Sequence, residues 1–193
     1  MVQISNWLRR VSTDLVTLLG LVIFILFTTL VLPGQAPSDR VYEETGQAEE
    51  NPDGAATPDL SFVYSVNELY EMAESYGVQG RRDYVKARFT FDLVWPVVYT
   101  FFLVTTISWL FEKAFPGEST WQRVNLVPTL AMALDYLENI STSIIMTRYP
   151  ARTALVDSLA TVFTPLKWIF VGLSFVLLLC GISLTLWNWL QRR

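Results

Sequence analysis

The stretch LKWIFVGLSFVLLLCGISLTLWNWL, Leu166–Leu190, carries a single charge, Lys167, at its start. A helix crossing a bilayer needs about 20 mostly apolar residues to cover about 30 Å of hydrocarbon, and this run exceeds that length. Composition alone argues more weakly. The 193 residues are 52% hydrophobic and 17% charged, against about 45–50% and 25% in soluble domains. Clustering of the apolar residues, rather than their number, therefore decides the class.

Three more runs lie upstream. Leu15–Leu32 follows Arg9 and Arg10 and is apolar apart from Thr17, Thr28 and Thr29. Leu93–Phe111 contains Pro96 and closes at Glu112 and Lys113. Val124–Thr147 is interrupted by Asp135, Glu138 and Asn139. The expected fold is all-α: a polytopic membrane protein with a four-transmembrane-helix bundle and a partly disordered outward loop carrying a short amphipathic helix. The expected partition is a cytoplasmic N-terminus over 1–14, spans over 15–32, 89–112, 124–147 and 165–190, and a tail over 191–193. An outward loop over 33–88 holds a helix near 66–76, and a cytoplasmic loop covers 113–123. A second outward segment, 148–164, forms a short helix ending at Pro165, since proline interrupts helical hydrogen bonding. Pro33-Gly34-Gln35-Ala36 offers small residues to a signal peptidase, but the first apolar run is longer than a signal core. An uncleaved anchor is expected.

Basic residues divide into Arg9, Arg10, Lys113, Arg123, Arg192 and Arg193 on one side and Arg81, Arg82, Lys86, Arg148 and Arg152 on the other. The first helix usually dominates orientation, so both termini are expected in the cytoplasm of a bacterial inner membrane. Trp7, Trp109, Trp121, Trp187 and Trp189 fall near one interface and Trp95 and Trp168 near the other, as interfacial belts require.

The absence of histidine excludes Ser-His-Asp and Cys-His nucleophiles, HExxH zinc sites and histidine pH switches. A single thiol, Cys180, excludes an intrachain disulfide, a CxxC pair or a thiolate cluster. No phosphate-cradling glycine motif is present. The net charge of −4 with scattered basic residues gives no footprint for nucleic acid. No cofactor and no metal centre is expected.

Within the outward loop, Pro33–Asp59 is rich in Pro, Gly, Ala, Asp and Glu and reads as a solvated linker. Ser65-Val66-Asn67-Glu68 matches a capping box. Leu69, Met72, Ala73 and Tyr76 follow at helical spacing, and Gly77 suits a left-handed stop. From Arg81 the chain is expected to run helically into the second span. Tyr84, Arg88, Asp92, Trp95 and Tyr99 then share one stripe, with Arg88 and Asp92 forming an interfacial ion pair.

The third run carries the chemistry. Asp135, Glu138 and Asn139 share one helical face, and an acid at a helix centre costs about 2.5–3.5 kcal/mol on insertion scales. Such residues must face a bundle interior or a wet cavity and mark functional candidates. Lys167, Asp92 and Tyr99 are the expected second wall. Pairing Glu138 with Lys167 and Asp92 with Arg88 leaves Asp135 without an assigned cation. That makes Asp135 the leading ligand-binding or proton-handling candidate.

Arg88-Phe89-Thr90-Phe91-Asp92, Pro96 and Tyr99, then Leu134-Asp135-Tyr136-Leu137-Glu138-Asn139 and Phe163-Thr164-Pro165-Leu166-Lys167-Trp168, resemble an uncharacterised family of bacterial four-helix integral membrane proteins. The resemblance implies a four-helix membrane fold and adds no reaction. The expected function is binding of a lipid or small amphiphile at Asp135, Glu138, Asn139, Asp92, Tyr99 and Lys167. The alternatives are a structural or accessory subunit of a larger membrane complex and a proton-coupled transporter. Expected partners are membrane lipids, and other membrane subunits or a second copy of the chain. A lipid-modifying enzyme lacks an evident nucleophile, so binding is favoured over catalysis.

Overall fold

The computed structural model describes residues 2–35, 58, 61–115, 117 and 119–192. Among these residues every regular element is helical. The elements are α1 (Val2–Val11), α2 (Asp14–Leu26, continuing as a wider π turn over Phe27–Val31), α3 (Val66–Ser75) and α4 (Gly77–Arg88). They are followed by α5 (Phe91–Ala114), a 3-10 segment (Thr120–Leu126), α6 (Val127–Arg148) and α7 (Ala154–Gln191). Three stretches are long and apolar enough to cross a membrane: Asp14–Val31, Gly77–Ala114 and Ala154–Gln191. This is a membrane protein. The acids in α6 keep it out of that group, so the expected four spans are three by length and composition. The linker reading of Pro33–Asp59 falls largely outside the described residues.

Within residues 1–14, Val2–Val11 is helical. One expectation about helix ends is corrected: no helix ends at Pro165, because α7 runs through it. Proline lacks only the N–H that would reach one carbonyl a turn back, and α5 likewise contains Pro96 without ending. Conversely, the helix expected to run from Arg81 into the second span is interrupted. Phe89 closes α4 by donating to the Val85 carbonyl (3.3 Å), and the Thr90 side chain caps the Lys86 carbonyl (2.8 Å).

The chain forms two compact units, one of Met1–Phe27, Trp95–Ala133 and Lys167–Arg193, the other of Thr28–Val94 and Leu134–Leu166. The first has α5 at its centre. Leu103 and Ile107 are fully buried among Tyr99, Phe102, Leu110, Phe111, Ala131 of α6 and Leu178 of α7. Helices in lipid approach closely where residues are small. At Gly20 of α2 an added Cβ would lie 3.0 Å from Thr105 Oγ1, and at Gly181 of α7 it would lie 3.0 Å from Leu110 Cβ. Close approach lets polar side chains reach neighbouring backbone: Thr17 donates to the Thr105 carbonyl (3.4 Å) and Asn188 to the Ala114 carbonyl (3.1 Å). At the start of α2, Asp14 accepts from the Trp109 indole and pairs with Lys113 at 3.6 Å.

The second unit packs α3 and α4 with the later part of α6 and the first part of α7. Its core is Tyr64, Leu69, Tyr70, Ala73, Ile145, Met146 and Ala160. The α3 capping box is present: the Ser65 N–H donates to Glu68 Oε2 (2.6 Å) and the Glu68 N–H to Ser65 Oγ (3.3 Å). Gly77 follows the helix at φ +59°, a conformation that side chains with a Cβ disfavour.

Candidate functional site

The polar cluster of the second unit is built on the middle of α6. Three hydroxyl side chains there turn back onto their own helix: Ser141 to the Leu137 carbonyl (2.8 Å), Thr142 to that of Glu138 (2.9 Å) and Thr147 to that of Ser143 (2.7 Å). Self-satisfaction of this kind lets polar side chains sit in a buried helix without outside partners. Glu138, which is fully buried, instead looks outward from α6 to α7.

Its Oε1 accepts from Thr164 Oγ1 at 2.5 Å. Thr164 Oγ1 lies 2.8 Å from the Tyr64 hydroxyl. Each hydroxyl has one proton. With the Thr164 proton on Glu138, the Tyr64 proton is left for Thr164 Oγ1 at 2.8 Å or the Ala160 carbonyl at 3.4 Å, and the shorter contact links the three groups in a chain. Tyr64, Thr164 and Glu138 come from the segment before α3, from α7 and from α6, and all are buried.

A second string shares α6. Arg88, at the end of α4, pairs with Asp92 at 2.9 Å one turn on. The same Nη1 donates to Asn139 Oδ1 at 3.4 Å, and Asn139 Nδ2 donates to Asp135 Oδ1 at 3.4 Å. The guanidinium also lies over the Tyr84 ring, 4.5 Å from its centroid. The two longer bonds are at the weak end of hydrogen-bond geometry, and the 2.9 Å charge-assisted contact holds the arginine. The string, Asp92–Arg88–Asn139–Asp135, is most buried in its middle, Arg88 at 8% and Asn139 at 5%, and less buried at its two ends, the Asp92 side chain at 14% and half-buried Asp135.

Of the six ligand-binding residues expected from sequence, Asp92, Asp135, Glu138 and Asn139 fall in this unit, with Arg88. Tyr99 and Lys167 belong to the other unit. There Tyr99 is buried with Trp95 edge-on at 5.8 Å, and buried Lys167 has its Nζ 5.2 Å from the Trp168 ring centroid. The two acids of α6 differ in exposure: Asp135 is half-buried and accepts from Asn139, whereas Glu138 is fully buried. Residues three apart on an α-helix are offset by about 60° around the axis, enough to put one in the core and the other at its edge. Tyr64 and Thr164 were not expected at the site. Tyr64 lies in a loop without periodicity, and Thr164 precedes a proline taken as a helix end.

No protein family, curated protein or solved structure matches this chain.

Farther along the same unit, a cleft of about 320 Å³ is lined by Asn67, Tyr70, Glu71, Glu74, Tyr149 and Arg152. Arg152 donates to Asn67 Oδ1 (3.0 Å) and lies over the Tyr70 ring, and the Tyr70 hydroxyl donates to Asp157 Oδ1 (3.0 Å). Burial, then the hydrogen bond to Asp157, raises the Tyr70 phenol above its ordinary value. A smaller cleft of about 160 Å³ lies in the first unit, between α1 and the 3-10 segment. Neither cleft is lined by any of the six expected residues. Among the described residues no group of acids and thiols is arranged to hold a metal ion.

Proposed function

We propose that the chain is a four-span protein of a bacterial inner membrane, with both termini in the cytoplasm, that binds the polar head of a lipid or small amphiphile at Asp135 and Asp92. In this reading α6 is the fourth crossing. Its acids are tolerated there because Glu138 is sealed against Thr164 and Tyr64, and because Asp135 and Asp92 belong to one hydrogen-bonded string with Asn139 and Arg88.

The observation that carries the reading is the exposure of that string: buried Arg88 and Asn139 in its middle fix its geometry, and its two ends are the less buried carboxylates of Asp92 and Asp135. Next to these ends in sequence, Leu93 is 54% exposed, and its carbonyl accepts from the Tyr136 hydroxyl at 2.8 Å. A donor-bearing head on the carboxylates and an alkyl tail along Leu93 would satisfy both surfaces. Mostly apolar walls with a few fixed polar groups are the usual composition of small-molecule sites.

The test is Asp135→Asn in the purified full-length protein. The reading expects a folded variant that has lost a lipid seen on the wild type by native mass spectrometry. The Glu138–Thr164–Tyr64 chain favours a second reading, in which the polar residues only lock helices in an accessory subunit. Under that reading the variant melts earlier, wild type carries no specific lipid, and a second protein co-purifies in mild detergent.

A further inference from the structure

The cleft in the first unit has a chemistry that the intramembrane cluster does not share. Its walls are α1 and the 3-10 segment, and both are fixed by buried hydrogen bonds. Ser5 Oγ donates to Asn125 Oδ1 (2.8 Å), while Asn125 Nδ2 donates to the Ser5 carbonyl (3.2 Å) and to Ser108 Oγ (3.0 Å). Gln122 Nε2 holds the preceding turn through the carbonyls of Phe115 (2.9 Å) and Gly117 (2.7 Å). Ser5 and Asn125 are almost completely buried. The cleft is therefore a formed feature of the fold.

Two basic residues line it, Arg9 from α1 and Arg123 from the 3-10 segment, together with Asn6 and the hydroxyl residues Ser119 and Thr120. Among the described residues no carboxylate lines it, and neither arginine has an acid partner. Two like charges lining one small cleft favour an anion there, and guanidinia match phosphate oxygens in geometry. Next to each arginine's element is a tryptophan turned outward: Trp7 is 61% and Trp121 60% exposed. Exposed tryptophans are characteristic of headgroup depth. Ile4 of α1 is also exposed, at 57%, and shares with Trp7 and Val11 the face of α1 opposite Val2, Asn6 and Arg9, so the helix turns an apolar and a basic face apart, as helices lying in the interfacial plane do.

We infer that this cleft binds the phosphodiester of an anionic phospholipid, with Arg9 and Arg123 on the phosphate oxygens and the opposite, apolar face of α1 set in the surrounding lipid. Basic pockets at one membrane face commonly serve such headgroups. The site is independent of the Asp135 reading, since it uses other residues in the other unit.

The experiment reconstitutes the full chain in nanodiscs containing equal phosphatidylglycerol and phosphatidylcholine. Native mass spectrometry then reads which lipid is retained on release. Wild type is expected to retain phosphatidylglycerol selectively. Arg9→Gln and Arg123→Gln should each weaken that retention about tenfold, as expected for loss of one charge-assisted hydrogen bond to the phosphate. Arg10→Gln removes the same charge from a residue outside the cleft and should leave retention unchanged. Thermal unfolding of each variant confirms that it is folded, and Arg9→Lys, which keeps the charge, should retain intermediate selectivity. Equal retention of the two lipids by wild type would overturn the inference, as would an Arg10→Gln loss matching the other two. Soluble glycerol phosphate separates the sources of the phosphate. Arginine-dependent binding of it without selective lipid retention would overturn the assignment to a phospholipid.

Discussion

At Thr164 a single hydroxyl decides whether Glu138 is tolerable. Its proton is the 2.5 Å contact to Glu138 Oε1. Thr164→Val keeps the shape and removes the donor, leaving that buried oxygen without it. Loss of a partner to a buried polar group costs about 1–3 kcal/mol, and the thermal midpoint in detergent should fall accordingly. Tyr64→Phe removes only the next bond in the chain and should cost about 0.5–1.5 kcal/mol. An unchanged midpoint in Thr164→Val would mean that the hydroxyl does not support the acid. Glu138→Gln keeps an acceptor for Thr164 and should destabilise less than Glu138→Ala.

Helix packing makes opposite predictions for two glycines of α7. An added Cβ at Gly181 meets Leu110 and Phe111 at 3.0–3.2 Å, whereas at Gly172 it meets nothing within 4 Å. Overpacking a tight contact costs about 1–3 kcal/mol, so Gly181→Val should lower the melting temperature. Gly172→Ala should raise stability by up to about 1 kcal/mol through helix propensity. Melting curves of the two variants that moved in the same direction would contradict this packing.

For α3 the prediction is one of pH. The Ser65 N–H holds the Glu68 carboxyl below its ordinary value. A value lower in the folded than in the unfolded state adds stability that is complete above the unfolded value, about pH 4.3, and fades as the pH falls through the folded one. Hydrogen exchange in Val66–Ser75 should therefore accelerate below about pH 4, relative to intrinsic rates. Glu68→Gln should make protection of that helix independent of pH in this range.

What the sequence made legible at the scale of the whole molecule follows from the range of each interaction. The apolar runs and the Ser65–Glu68 box depend on neighbours within a few residues, as does the Arg88–Asp92 pair one turn apart, and all are readable from spacing. The helix at Val2–Val11 was not: it is anchored by Ser5 to Asn125, a contact with no local signature. Continuity of α7 through Pro165 was hidden because a proline rule weighs one lost hydrogen bond and cannot see the packing on either side. The site was half legible for the same reason. Asp135, Glu138 and Asn139 announce themselves by being polar within an apolar run, while Thr164 and Tyr64 are ordinary residues until the fold brings them to Glu138.

Whether α6 crosses the bilayer is the point on which both the sheltered acids and the ligand reading depend. The direct measurement places single cysteines at Thr120 and at Ala151, both exposed and on either side of α6, in a Cys180→Ser background. Each is then labelled with a membrane-impermeant maleimide in intact and in permeabilised cells. A crossing helix gives opposite sidedness, with position 151 labelled from outside and position 120 only after permeabilisation. Labelling of both positions from the same side would place α6 outside the hydrocarbon and contradict the account.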